Sequence, residues 1–127
     1  MPFKSKEKAK NEAKWVIEHL KPYKVDLPVV FDWENWSFYN EFNLSFYNLT
    51  EIAKTYLGEV EKAGYEGMLY SSKNYLENVW MKHNYPVWLA HYTSKTNYQG
   101  EYRVWQLCSN GRVNGIYGDV DINVMYN

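Results

Sequence analysis

Apolar and polar positions along the chain sort into two periods. From Ser5, a residue suited to an N-cap, to about Leu20, the apolar residues Ala9, Ala13, Ile17 and Leu20 recur at helical spacing between lysines and glutamates. That spacing predicts an amphipathic helix with one buried stripe, stopped by Pro22. A continuous apolar run follows, Leu27-Pro28-Val29-Val30-Phe31, and reads as a strand buried on both faces. It runs into Asp32-Trp33-Glu34. Residues 35–48 are rich in asparagine and aromatics without a period and read as a long loop. A second helix is predicted from Asn48 or Thr50, with Asn48 and Glu51 at capping-box spacing. Its buried stripe is Ile52, Ala53, Tyr56, Val60 and Ala63, and Gly64 stands at the C′ position.

Beyond it lie a short strand at Gly67-Met68-Leu69-Tyr70, a brief helix capped by Ser72 and reaching about Trp80, and strands at 86–90 and 102–107. Turn signals at Asn110-Gly111, Asn114-Gly115 and Gly118 precede a last strand, Val120 to Val124. Strands separated by helices in the first part predict βαβ units and a parallel sheet. The final strands have no helix between them. Trp15 and Trp80, on helices, are assigned to packing.

Composition narrows the function classes. The 127 residues suit one domain with a real core. A net charge of −1 and a pI of about 6.3 lack the basic face that nucleic acid requires. No apolar run approaches the ~20 residues of a membrane span, and the lysine-rich residues 1–10 contain no apolar core of a signal peptide. Cys108 is the single cysteine, which excludes an internal disulfide and a cysteine zinc site, and it reads as a small apolar filler. His19, His83 and His91 are scattered without metal-ligand spacing, although His91 could face a cleft. No nucleophile elbow, dinucleotide fingerprint or phosphate loop occurs, so no cofactor or metal is indicated.

Two features carry candidate chemistry. Asp32 and Glu34 stand at i and i+2, so on a strand both carboxylates face one way, at the end where parallel α/β sheets build their sites. Like charges this close separate their pKa values, which suits an acid beside an ionised partner. The ordinary alternative is a solvated strand end. Asp119 and Asp121 repeat the spacing before the last strand, with a turn aspartate as the alternative. The second feature is an aromatic content of 19%, from 13 Tyr, 6 Trp and 5 Phe. Trp36, Tyr70, Trp88, Tyr92 and Trp105 fall at or just beyond predicted C-terminal strand ends. There they could wall a cleft for the apolar faces of sugar rings, or simply be core.

With these residues in view, Pro28-Val29-Val30-Phe31-Asp32-Trp33-Glu34 resembles the D-x-E strand of glycoside hydrolase family 25, the Chalaropsis-type lysozymes. Three further blocks keep that family's order: Gly67-Met68-Leu69-Tyr70-Ser71, then Trp88-Leu89-Ala90-His91-Tyr92, then Trp105-Gln106 followed by Val120-Asp121-Ile122-Asn123. The first helix, with Asn11-Glu12-Ala13-Lys14, resembles the segment before the strand, so the likeness covers essentially the whole chain.

The resemblance implies an N-acetylmuramidase that cuts the β-1,4 bond between N-acetylmuramic acid and N-acetylglucosamine in peptidoglycan. Glu34 matches the general acid, Asp32 its acidic partner and Asp121 a further acid of the floor, with Tyr70, Trp88, Tyr92 and Trp105 at cleft positions. Glycan strands would be the partner, and the site of action the cell wall or outside the cell, reached in the absence of a signal peptide by phage-type release. The implied fold is an α/β modified TIM-type barrel, but such barrels take roughly 200–250 residues. Residues 1–127 therefore read as a single truncated catalytic module. It lacks the first strands and their opening aspartate, with about five strands and few helices in its C-terminal half. Two alternatives accompany this reading: a glycan-binding remnant that does not cut, and a half-barrel active only as a homodimer or with a complementing N-terminal fragment.

Overall fold

A computed structural model describes residues 6–32 and 46–126. Its elements are α1 (Lys6–Leu20), β1 (Val29–Asp32), α2 (Phe46–Lys62), β2 (Gly67–Ser72), α3 (Lys73–Asn78), β3 (Val87–Ala90), β4 (Val104–Gly111) and β5 (Val120–Met125). One five-stranded sheet runs in sequence order, with β1 to β4 parallel and β5 antiparallel to β4. This is the parallel sheet that the order of elements predicts, and the curled, incomplete half of a modified α/β barrel that the resemblance implies. The β3–β4 crossover, residues 91–103, contains no helix. Sequence order in the sheet follows from short crossovers, each strand adding beside the last.

The helices cover one face. Ala9 and Ala13 of α1 pack with Leu49, Ile52, Ala53, Tyr56, Leu57 and Val60 of α2 over Phe31 and Leu69 of the sheet. Alanines on α1 let the two helices approach closely. Phe31 meets Tyr56 edge-on at 5.5 Å and Trp80 at 6.1 Å between ring centroids. The buried Trp80 indole donates to Ser71 Oγ at 2.8 Å, so its one polar atom is satisfied inside the core.

α2 begins at Phe46, earlier than the predicted Asn48 or Thr50. Thr50 is not a cap: its hydroxyl donates back to the Phe46 carbonyl at 2.9 Å and accepts from the Met81 amide at 3.1 Å. The predicted stripe missed Leu49 and Leu57, and Ala63 lies outside the buried face because the helix has already ended. Its end is a Schellman motif. Tyr65 N–H donates to the Val60 carbonyl and Gly64 N–H to that of Glu61, with Gly64 at φ 95°. Ser72 caps α3 as expected, its oxygen accepting from the Tyr75 amide. Trp15 departs from its packing assignment: it is 57% exposed and stacks on His19 at 3.9 Å, one helical turn away.

Burial pushes the Tyr56 hydroxyl up to about 12, with the charge of Glu12 adding to the effect. In the unfolded chain this phenol ionises near ~10, so its contribution to stability is complete below about pH 10 and is lost as pH rises towards 12. Tyr56→Phe is expected to flatten the fall in stability between about pH 10 and about pH 12, measured by urea unfolding. An unchanged slope would show that Tyr56 ionises freely in the folded chain.

Candidate active site

Alternation along each strand divides the chemistry between the two faces. Phe31, Leu69 and Leu89 point to the helices. Asp32, Tyr70 and Trp88 occupy one row on the other face, because Asp32 pairs with Tyr70 in register and Tyr70 with Trp88. All three stand at or near the C-terminal ends of parallel strands, the end where (β/α) barrels carry their sites. The exposed Asp32 is the last residue of β1, and Phe31 beside it anchors the strand in the core. Tyr70 and Trp88 meet edge to face at 5.3 Å.

One strand further, Gln106 pairs with Ala90 of β3 and with Asn123 of β5, which puts it on the same open face. Its side chain is 4% exposed. Tyr70 donates a short hydrogen bond to Gln106 Oε1, and the Tyr92 hydroxyl reaches the same oxygen at 3.3 Å. Trp88 Nε1 donates to Asn123 Oδ1 at 2.8 Å, tying β3 across β4 to β5. Asp121 lies two residues before Asn123 on β5 and so shares its face. A pocket of about 320 Å³ opens beside this row, lined by Tyr70, Ser72, Lys73, Asn74, Ala90, His91 and Tyr92.

Asp32, Tyr70, Trp88, Tyr92 and Asp121 are therefore brought to one face of the sheet. Trp105 is not among them. It pairs with Leu89, on the helix-side face, and its indole donates to the His91 carbonyl at 2.9 Å. Being next to Gln106 in β4, it must point the other way. Glu34 and Trp36 lie outside the described residues. His91 does border the pocket, with Nδ1 2.7 Å from Thr96 Oγ1. Asp119 is separated from Asp121 in role by an exposed ion pair with Arg112 at 3.2 Å. Among the described residues, no three His, Cys, Asp or Glu side chains gather as a metal site would require.

Gln106 and Asn123 share this face too, although the motif reading gave them no role. The signal was present in β4, where Gln106 shares its period-2 face with Val104 and not with Trp105. A polar residue at an inward strand position needs a partner.

The profile of the Glycosyl hydrolases family 25 matches residues 1–116. The chain belongs to that family. Among solved structures, this family 25 chain is similar to the spore cortex lytic enzyme SleM of Clostridium perfringens. There the identity is 20% and the TM-score 0.77, over 97% of this chain and 46% of that one. It is also similar to GHIP, a glycosyl hydrolase 25 of Streptococcus pneumoniae, at 20% identity and TM-score 0.76, over 97% and 55% of the two chains. The bacterial lysozyme of Streptomyces coelicolor aligns at 20% identity and TM-score 0.69, over 91% and 61%. Likeness at this identity is likeness of fold, and the chain spans about half the length of the structures it matches. No curated protein sequence gives a significant match.

Proposed function

We propose that this chain carries a lysozyme-type peptidoglycan hydrolase site that cuts the β-1,4 bond between N-acetylmuramic acid and N-acetylglucosamine. One observation supports it above the rest: in a family 25 chain, Asp32, Tyr70 and Trp88 form a row on the open face that also carries Asp121. On this reading Glu34, two residues beyond Asp32, protonates the departing glycosidic oxygen. Asp32 stabilises the positive charge that develops on the sugar, and Asp121 adds a negative wall. Tyr70, Trp88 and Tyr92 present rings to the apolar faces of the sugars, and Trp36 adds to that wall. Trp105 acts from behind, holding the His91 carbonyl at the start of the β3–β4 crossover. The site of action is the cell wall.

The test is mass spectrometry of fragments released from purified peptidoglycan. New N-acetylmuramic acid reducing ends are expected. N-acetylglucosamine reducing ends, or a folded chain that releases nothing, would sink the reading.

A second reading draws on the sheet itself. Among the described residues, β1 and β5 end it without a further strand neighbour, and an open edge is a template for pairing. In that case the cleft is completed by a second copy or by an N-terminal fragment. Hydrolysis would then rise more steeply than linearly with chain concentration, and sedimentation would show the assembly.

A further inference from the structure

The segment between α3 and β3 is stapled to α2 at two points. The Met81 amide donates to Thr50 Oγ1 at 3.1 Å, and the Tyr85 hydroxyl donates to the Lys54 carbonyl at 3.3 Å. Thr50 and Lys54 stand at i and i+4, so both staples fall on one face of α2. Where the segment leans on the helix, a pocket of about 480 Å³ opens, lined by Lys54, Glu61, Lys82, His83, Asn84 and Tyr85. It lies where the chain enters β3, at the N-terminal end of that strand. The cleft is at the other end of the strands, beyond Tyr70 and Trp88.

His83 sets the character of this pocket. A backbone amide can only donate, and that of Tyr85 meets His83 Nδ1 at 3.2 Å, so the neutral ring carries its proton on Nε2. The Tyr85 ring stacks on the imidazole, 6.1 Å between centroids and 22° between planes. Burial holds the histidine below its ordinary pKa, and the charge of Lys54 pushes the same way. Among the described residues, Lys54 and Lys82 enter no ion pair, whereas Lys10, Lys21, Lys62 and Lys73 do. Glu61 acts at the phenol end of the pocket, where burial, and then its charge, pushes the Tyr85 hydroxyl up. Two ammonium groups against one carboxylate leave the lining with one positive charge in excess. A half-buried imidazole beside unpaired cations is the surrounding that an anion relieves.

We propose that this pocket binds an oxyanion, a phosphate or a carboxylate group, between Lys54, Lys82 and the Nε2–H of His83. Lysine ammonium groups and an imidazole N–H supply donors only, and a ligand oxygen with lone pairs and negative charge answers all three. The two staples on α2 hold the segment in place before the ligand arrives, so little ordering is left for binding to cost.

The experiment follows the His83 imidazole resonance of the full chain by NMR through pH titrations in chloride, in inorganic phosphate and in acetate, all at one ionic strength. The bound anion is expected to raise the His83 titration midpoint by about one pH unit, which makes binding about tenfold tighter once the ring is protonated. The resonance of His19, exposed on α1, should not distinguish the three salts. Lys54→Met and Lys82→Met replace exposed side chains and leave the core untouched. Each is expected to weaken the anion about tenfold, the loss of one charge-assisted hydrogen bond. Lys62→Met, on α2 but paired with Glu59, should have no effect.

A His83 titration that is the same in all three salts would overturn the proposal, as would an upward move that survives Lys54→Met and Lys82→Met combined. A response to phosphate alone assigns a phosphate-bearing ligand, and a response to acetate alone a carboxylate-bearing one. Because the pocket and the cleft stand at opposite ends of the strands, either result holds whether or not the chain releases peptidoglycan fragments.

Discussion

Glu34→Gln is expected to lower the release of muramic-acid reducing ends by about 10²–10⁴-fold, the contribution of a positioned general acid, while the chain remains folded. Asp32, the last residue of β1, stands in register with Tyr70 on the open face. A carboxylate two residues further along the same D-x-E is the nearest acid in sequence to that row. Glutamine preserves its size and polarity but cannot give up a proton. Asp32→Asn is expected to impair turnover as well, by removing the negative charge that faces the developing oxocarbenium ion. The measurement is product quantification on peptidoglycan with matched protein concentrations. Turnover of Glu34→Gln within tenfold of the wild type would remove Glu34 from the acid's role and direct attention to Asp121.

Phe31→Ala is the substitution with the largest expected effect on stability. Phe31 is 2% exposed and contacts Tyr56 of α2 and Trp80 beyond α3, so it joins β1 to α2 and to the segment that follows α3. Truncating a buried phenylalanine costs about 3–5 kcal/mol, out of the ~5–15 kcal/mol that holds a domain of this size together. The thermal midpoint should fall by roughly 10–20 °C. Phe31→Leu, which refills most of the cavity, should recover the greater part. A loss below about 1 kcal/mol for the alanine variant would mean that α2 and the sheet close over the gap. Because Phe31 precedes Asp32, the same variant reports whether the acid's position depends on the core behind it.

Much of this arrangement was legible from periodicity. The strands at Val29, Gly67 and Val87 were plain because helix-length segments of a different period separate the first of them. Gly64 fixed the end of α2 by its backbone freedom. Tertiary context decided the rest. Trp15 has the composition of a core residue, yet the narrow α1–α2 contact is built from Ala9 and Ala13, which leaves the indole outside it. Trp105 sits within a motif of cleft residues, but one step of register turns it to the opposite face. The partners of Gln106 come from residues 36 and 14 positions away. No local pattern encodes such a meeting, and only the order of strands in the sheet creates it.

The helices back β1 and β2, while β5 is largely exposed along its length. Cooperative opening begins where buried apolar contact is least. The β4–β5 ribbon is therefore the labile wing of the sheet, and β1 to β3 its rigid platform. Asp121 and Asn123 ride on the wing, whereas Asp32, Tyr70 and Trp88 stand on the platform. The bond from Trp88 to Asn123 joins them, so a ligand lying across both would hold the wing to the platform, and would bind more weakly in proportion to the fraction of chains in which the wing is open.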